Sequence, residues 1–477
     1  MRLRRQAGRH VFWSAFEAGS SATLSFLSAF IVARIVGPAE LGVGAAAVAV
    51  HVLLWVGVNA LFADAIVQRS HIDTEAASSA FWASVAVGVA AAVVQACSGW
   101  LLAASLGDRR FAAMALLLAL PLPLVGAGGV VQGMRTRDRA YKVLAGRAVI
   151  GQGLGTLTGI AAALAGAGAW ALVLQQAVTS TVGALALILR ARWRPRPVLR
   201  RAPVVALLRT GLPLTASTLV QQSRYRLFAL LIGATAGPAA LGLVHLAFRL
   251  SDTVRDLALT ALWRLMLPPL SQRQGDLGAL QASVDRYALL SGLALFPVIG
   301  AMLLVMRPLV RLVLGPVWEP AAVAATPLLG LMAWLFLGFA GGVAAVARGG
   351  ARYAMLSHIG VTAATLLGTA LLRPATPLHA VAIWSAAQLL LSPYLIVTTA
   401  RLMRADWLRQ QRPGLPALAL AAGATLAAAG LAPLLQPAST VAVIAARLGL
   451  LCAIYGAGAA LLLRGRLGIV SAVARPI

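Results

Sequence analysis

Carboxylates are scarce in this chain: its 477 residues include 13 Asp and Glu against 40 Lys and Arg. Charge of either sign is thin, at 11% of residues, while 60% are hydrophobic and the mean hydropathy is +0.87. These proportions exclude an ordinary soluble domain, in which about a quarter of the residues are charged, and imply a polytopic membrane protein. Cysteine is nearly absent. Cys97 and Cys452 both fall in apolar runs, so they read as small hydrophobes and offer no disulfide framework. His51 and His245 have no Cys, Asp or Glu gathered at ligand spacing, which predicts no metal site. "GQGLG" at 151–155 has no strand before it and no Gly-Lys-Ser/Thr after it. It reads as close helix packing, and the sequence predicts no cofactor and no ATP hydrolysis.

What is present is apolar length. Crossing a hydrocarbon core of about 30 Å takes about 20 predominantly apolar residues, and fourteen such runs lie between turn signals. The first eight are at about 11–36, 40–63, 78–104, 111–133, 144–166, 168–189, 210–235 and 238–262. Six more follow, at about 286–306, 321–346, 353–372, 376–400, 415–433 and 439–463. They are too long and too uniformly apolar for barrel strands, so the expected fold class is all-α integral membrane. Pro121, Pro123, Pro213 and Pro297 fall inside runs and are expected kinks.

The net charge of +27 reports orientation before it reports partners. If "MRLRRQAGRH" is cytoplasmic, the same side receives Arg135, Arg137, Arg139, Lys142, Arg147, the stretch "RARWRPRPVLRR" and Arg401, Arg404, Arg409 and Arg412. The opposite side receives Arg34, Arg109, Arg110, Arg307, Arg311 and Arg373. Both termini are therefore expected in the cytoplasm. The basic loops lack aromatic interleaving, so no nucleic-acid partner is expected, and anionic headgroups are the natural counter-charge. The first run is too long for a signal-peptide core and is expected to be retained. "MRTRDRAYKVLAGR" at 134–147 reads as a cytoplasmic interfacial segment.

A turn occurs twice. "VARIVGPAELG" at 32–42 and "IGATAGPAALG" at 232–242 share Gly, Pro, Ala, Leu and Gly at one offset, and each joins two runs. Gly ending one helix and Pro opening the next describes a tight extracytoplasmic turn. The turn follows run one and then run seven, which predicts two six-helix lobes in parallel repeat plus a terminal helix pair. Residues 1–189 form the expected first lobe, 190–209 a basic cytoplasmic connector and 210–400 the second lobe. Residues 401–477 hold the terminal pair and a cytoplasmic tail.

"VARIVGPAELG", "FADAIVQR" at 62–69, Phe81-Trp82, "GAWALVLQQ" at 168–176, "RTGLPLTAS" at 209–217 and "RLMLPPLSQRQGD" at 264–276 resemble the polysaccharide transporter, or oligosaccharide flippase, family. The similarity runs from residue 11 to about 290. The resemblance implies a member of the multidrug, oligosaccharidyl-lipid and polysaccharide exporter superfamily. Such a protein would move a polyprenyl-diphosphate-linked oligosaccharide from the cytoplasmic to the outer leaflet of a bacterial inner membrane, for exopolysaccharide or lipopolysaccharide synthesis. Membrane lipids, H⁺ or Na⁺, and polysaccharide polymerase or export proteins are the other partners it implies.

Ionisable residues inside spans carry a cost of about 2.5–3.5 kcal/mol on insertion scales, so they should face a cavity or a partner. Arg224 and Arg226 lie near the middle of run seven and Arg249 near the middle of run eight, where the 200-residue offset places Leu24, Phe26 and Ala49. Arg224 and Arg226 are about 200° apart on a helix, so only one can readily face a central cavity. One reading makes Arg224 or Arg226, with Arg249, a substrate-binding patch, because guanidinium binds phosphate oxygens two at a time. Another makes them structural ion pairs with Asp252 and Asp256, Arg249 and Asp252 being at pairing distance along the helix. Glu17 in run one is a candidate coupling-ion site or counter-ion, and Asp252 a candidate counter-ion. The expected protein is a transporter and not an enzyme, driven by an ion gradient or the membrane potential. A lipid-linked peptidoglycan precursor flippase, a small-molecule cation exporter of the same superfamily and a membrane polysaccharide polymerase or ligase remain open.

Overall fold

The computed structural model describes residues 2–69, 71–191, 193–404, 406, 410–435 and 439–464. The expected cytoplasmic tail beyond Arg464, and Arg409, lie outside the described residues. Every helix or strand found among the described residues is a helix, as hydrocarbon demands of a chain whose backbone must satisfy itself. In chain order these are α1 (Arg2–Val36), α2 (Pro38–Gln68), α3 (Thr74–Leu106), α4 (Arg110–Ala119), α5 (Leu122–Arg137), α6 (Tyr141–Leu164), α7 (Trp170–Leu189) and α8 (Arg201–Gln272). Then come α9 (Leu277–Val313), α10 (Glu319–Leu337), α11 (Phe339–Ala347), α12 (Ala351–Leu372), α13 (Pro377–Met403), α14 (Leu415–Leu431) and α15 (Thr440–Arg464).

Among the described residues, 12 candidate spans are long and apolar enough to cross a membrane. The 72 residues of α8 contain two expected runs, and its backbone leaves helical values at Gly237 (φ 84°, ψ 170°). The 24 residues of α6 are long enough to cross but are diluted in hydropathy by glycine, threonine and glutamine. Counting α8 as two and adding α6 restores the fourteen crossings. Pro121 sits at the junction of α4 and α5, where the backbone keeps right-handed helical angles within one candidate span. α8 and α9 run on through Pro213 and Pro297; one missing N–H does not end a helix that has packed neighbours. An unexpected break falls at Gly338, between α10 and α11.

The repeated turn has one conformation in both copies. Gly37 (φ 80°, ψ 167°) precedes Pro38 at the start of α2, and Gly237 precedes Pro238 with nearly the same angles. A positive φ at both sites is the reason for glycine. The two turns also touch. A Cβ on Gly42 would stand 1.8 Å from the Pro238 carbonyl oxygen, and one on Gly242 would stand 1.9 Å from that of Pro38.

Contacts divide the chain into two compact units, residues 1–245 and 246–477. In the first, α6 packs on α1 and α7, α5 packs on α2 and α3, and α4 on α3. Leu61, Phe62, Ile66, Ala80, Val130 and Leu207 form one of its buried clusters. The basic connector is fastened to the start of α3. Trp82 Nε1 donates to the Arg196 carbonyl at 2.8 Å, Ser79 Oγ accepts from Arg200 N at 2.9 Å, and Arg200 pairs with Glu75 at 2.8 Å. Phe81 meets Trp193 edge-on, so both aromatic residues of the Phe-Trp motif hold this segment. In the second unit, α9 packs on α10, α14 and α15, and α13 on α10 and α12. Met266, Leu280, Val284, Val343 and Met403 are part of its core.

Candidate functional site

A polar cavity is built into the first unit by helices that come unusually close. Gly151, Gly155 and Gly159 put one bare face of α6 against Gln175, Thr179 and Gly183 of α7. Gln175, Gln176 and Ser180 of α7 are polar groups packed among other helices, so they must find partners. Ser28 Oγ donates to Gln175 Oε1 at 2.9 Å, His51 Nε2 and Ser180 Oγ are 3.1 Å apart, and Gln176 Nε2 donates to Ser180 Oγ at 3.2 Å. His51 is fully buried and is a hydrogen-bonded interior histidine.

Beside this network lies a cavity of about 310 Å³, whose lining includes Trp55, Asn59, Arg147, Gln152, Gln176 and Thr179. Arg147 Nη2 donates to Gln132 Oε1 at 2.8 Å. Its Nε is buried with no hydrogen-bond partner among the described residues, and its charge interacts with that of Glu17 on α1. Amide, hydroxyl, indole and guanidinium groups suit a hydroxyl-rich or anionic ligand; a cation would meet Arg147. The sequence placed Arg147 among the topology-setting arginines. Its place near the start of an apolar run carried no signal that it turns inward.

The two arginines of the seventh run sit on α8 within the first unit, and both are half-buried. Arg226 lies over the ring of Tyr225, 5.4 Å from its centroid. The Tyr225 hydroxyl is 2.9 Å from His245 Nδ1, a contact made because α8 doubles back at Gly237. Tyr225 and His245 were not expected together, since their separation of 20 residues matches no helical spacing.

Arg249 and Asp252 belong to the second unit, and both are half-buried. Asp252 Oδ1 is paired with Arg255 Nη1 at 2.7 Å, and Arg255 also reaches Asp256 at 3.0 Å. Arg255 thus binds both carboxylates. Next to Arg249 in sequence, Phe248 meets the buried Trp384 edge-on, with ring centroids 4.9 Å apart.

The chain is 26% identical over 325 residues to the succinoglycan biosynthesis transport protein ExoT of Rhizobium meliloti (strain 1021), a match covering 68% of this chain and 65% of the relative, just under two thirds of its length. The structure of the lipid II flippase MurJ in an inward closed conformation superposes with a TM-score of 0.77 at 10% identity, over 96% of this chain and 100% of that one. An inward-facing multidrug resistance MATE family transporter of the MOP superfamily gives 0.61 at 15% identity, over 80% and 94%. These two share the fold. Residues 31–323, more than half of the sequence, match the family described as polysaccharide biosynthesis protein, and the chain belongs to that family.

Proposed function

We propose that this protein translocates a polyprenyl-diphosphate-linked oligosaccharide from the cytoplasmic to the outer leaflet of a bacterial inner membrane, supplying exopolysaccharide or lipopolysaccharide assembly. The observation that carries the reading is the seating of guanidinium groups in the apolar helices of a polysaccharide biosynthesis protein. Arginine meets a diphosphate through paired hydrogen bonds, and its burial is costly unless an anion or a cavity repays it. Arg224 or Arg226, together with Arg249, binds the substrate diphosphate in this scheme. The polar cavity at Arg147 takes hydroxyl-rich cargo, and Glu17 and Asp252 serve as coupling-ion or counter-ion groups for H⁺ or Na⁺. The chain works by alternating access of two six-helix lobes, 1–189 and 210–400, with both termini cytoplasmic, and makes or breaks no covalent bond. The relative's role as a succinoglycan transport protein and the neighbour's as a lipid II flippase both favour a lipid-linked glycan over a small cation.

The test is a lipid extract from cells lacking the protein, analysed for polyprenyl-diphosphate glycans and for the leaflet that holds them. Accumulation of a complete repeat unit in the cytoplasmic leaflet is expected. Accumulation in the outer leaflet would indicate a polymerase or ligase, a lipid-linked peptidoglycan precursor would reassign the cargo, and no accumulation would overturn the reading.

A further inference from the structure

The second unit carries a basic pocket far along the chain from the arginines of α8. The C-terminal end of α9 and the N-terminal end of α15 bound a cavity of about 630 Å³, which Arg307, Arg311, Glu319, Thr440, Val443 and Arg447 help to line. The pattern is periodic on both helices. Arg307 and Arg311 are one turn apart on α9, and Thr440, Val443 and Arg447 follow the three-then-four spacing of one face of α15. Two hydrogen bonds set the helices in register: the Tyr455 hydroxyl donates to the Leu293 carbonyl at 2.8 Å, and Arg447 Nη1 donates to that of Leu304 at 2.7 Å.

Charge in the pocket is only partly balanced. Glu319 takes Arg307 as its ion-pair partner. Arg311 makes no side-chain hydrogen bond or ion pair among the described residues. Arg447 reaches a neutral carbonyl, so its charge stands, and its Nε is buried with no hydrogen-bond partner among the described residues. The N-terminus of the 25-residue α15 adds a partial positive charge, with Ser439 Oγ accepting from Ala442 N at 3.2 Å. A structural ion pair explains one of the three arginines and leaves two guanidinium groups and a helix terminus facing one space.

The surroundings identify the anion. Leu309 and Leu312 near the end of α9, Val317 in the turn after it and Val441 at the start of α15 are 42%, 47%, 56% and 61% exposed. A soluble anion gains nothing from such a rim, and an acidic peptide or a nucleic acid would require a broad polar face instead. A phosphodiester with two acyl chains fits both parts. We propose that this pocket binds the phosphate of an anionic phospholipid headgroup, with the acyl chains lying along the exposed apolar side chains of α9 and α15.

The test uses the full-length protein in detergent micelles, with bound lipid read by native mass spectrometry. Dioleoylphosphatidylglycerol, dioleoylglycerol and inorganic phosphate are titrated separately. Dioleoylphosphatidylglycerol should bind saturably. Arg311→Gln with Arg447→Gln should weaken it by about tenfold or more, as loss of charge-assisted hydrogen bonds requires. Arg311→Gln alone, at an exposed site where folding is not at stake, should weaken it measurably. Wild-type affinity in the double variant would overturn the proposal. So would equal affinity for dioleoylglycerol, which has no phosphate. Equal affinity for inorganic phosphate would overturn the lipid assignment by showing that the apolar rim contributes nothing.

Discussion

Alanine at Gly42 should destabilise the protein through a backbone 200 residues away. The added Cβ would lie 1.8 Å from the Pro238 carbonyl oxygen, and that of Gly242→Ala 1.9 Å from the Pro38 oxygen. Ordinary carbon–oxygen contact needs well over 3 Å, so either methyl group must push two helix starts apart by more than an ångström. No rotamer change can relieve it, because both obstacles are main-chain atoms. Overpacking of this kind costs about 1–3 kcal/mol. Because the two contacts are reciprocal, the separation forced by the first alanine makes room for the second. The double variant should therefore lose clearly less than the sum of the single losses, a coupling of about 0.5–3 kcal/mol. The control is Gly153→Ala, where a Cβ meets nothing within 4 Å and helix propensity alone predicts a neutral or slightly stabilising effect. Thermal unfolding of the detergent-solubilised protein, followed by tryptophan fluorescence, measures all four variants. Wild-type stability in either single variant, or strict additivity in the double, would refute the reciprocal contact.

In cells, Arg224→Ala or Arg226→Ala should abolish glycan export while the protein remains in the membrane; full export in the double variant would remove these arginines from the substrate path. Glu17→Gln should uncouple export from a proton or sodium gradient, and an unchanged response to collapse of both gradients would rule Glu17 out. Trp82→Phe deletes one hydrogen bond to the connector, worth about 1 kcal/mol, and should speed tryptic cleavage after Arg200 by about fivefold; an unaltered rate would mean that the segment is held by other contacts. The Asp108 carboxyl is held below its usual range chiefly by hydrogen bonding to Arg110. A depressed carboxylate stabilises the fold above its unfolded value and loses that contribution as the pH falls through its folded value. The melting advantage of wild type over Arg110→Gln should thus be steady from pH 7 to about 5 and shrink below about pH 4. Solvent access at this pair keeps the effect small, and an advantage that does not shrink at all on acidification would contradict it.

Hydropathy made the helices legible because hydrocarbon leaves an apolar run of sufficient length few alternatives. Breaks were less so. The junction at Pro121 is marked by its own residue, whereas Gly338 lies in a run whose hydropathy is uninterrupted, and nothing local shows that α10 ends there. Pro213 and Pro297 are strong local signals, yet α8 and α9 continue through both. The arginines of α8 stand out as charges in apolar sequence, but their neighbours do not. Tyr225 meets His245 only after the chain reverses at Gly237, whereas the Arg255 pair with Asp252 follows the three-residue helical spacing. Arg147 was hidden by a second meaning: near the end of a run, a basic residue reports topology equally well whether it faces water or a cavity.

The contact between Gly42 and Gly242 makes each copy of the turn part of the other's surroundings. A side chain added at either site meets the backbone of the other turn. Away from that contact the copies have parted: Leu24 stands against Arg224, and Phe26 against Arg226. The two turns are alike at the place where they touch, and at these positions before them only the second stretch is charged.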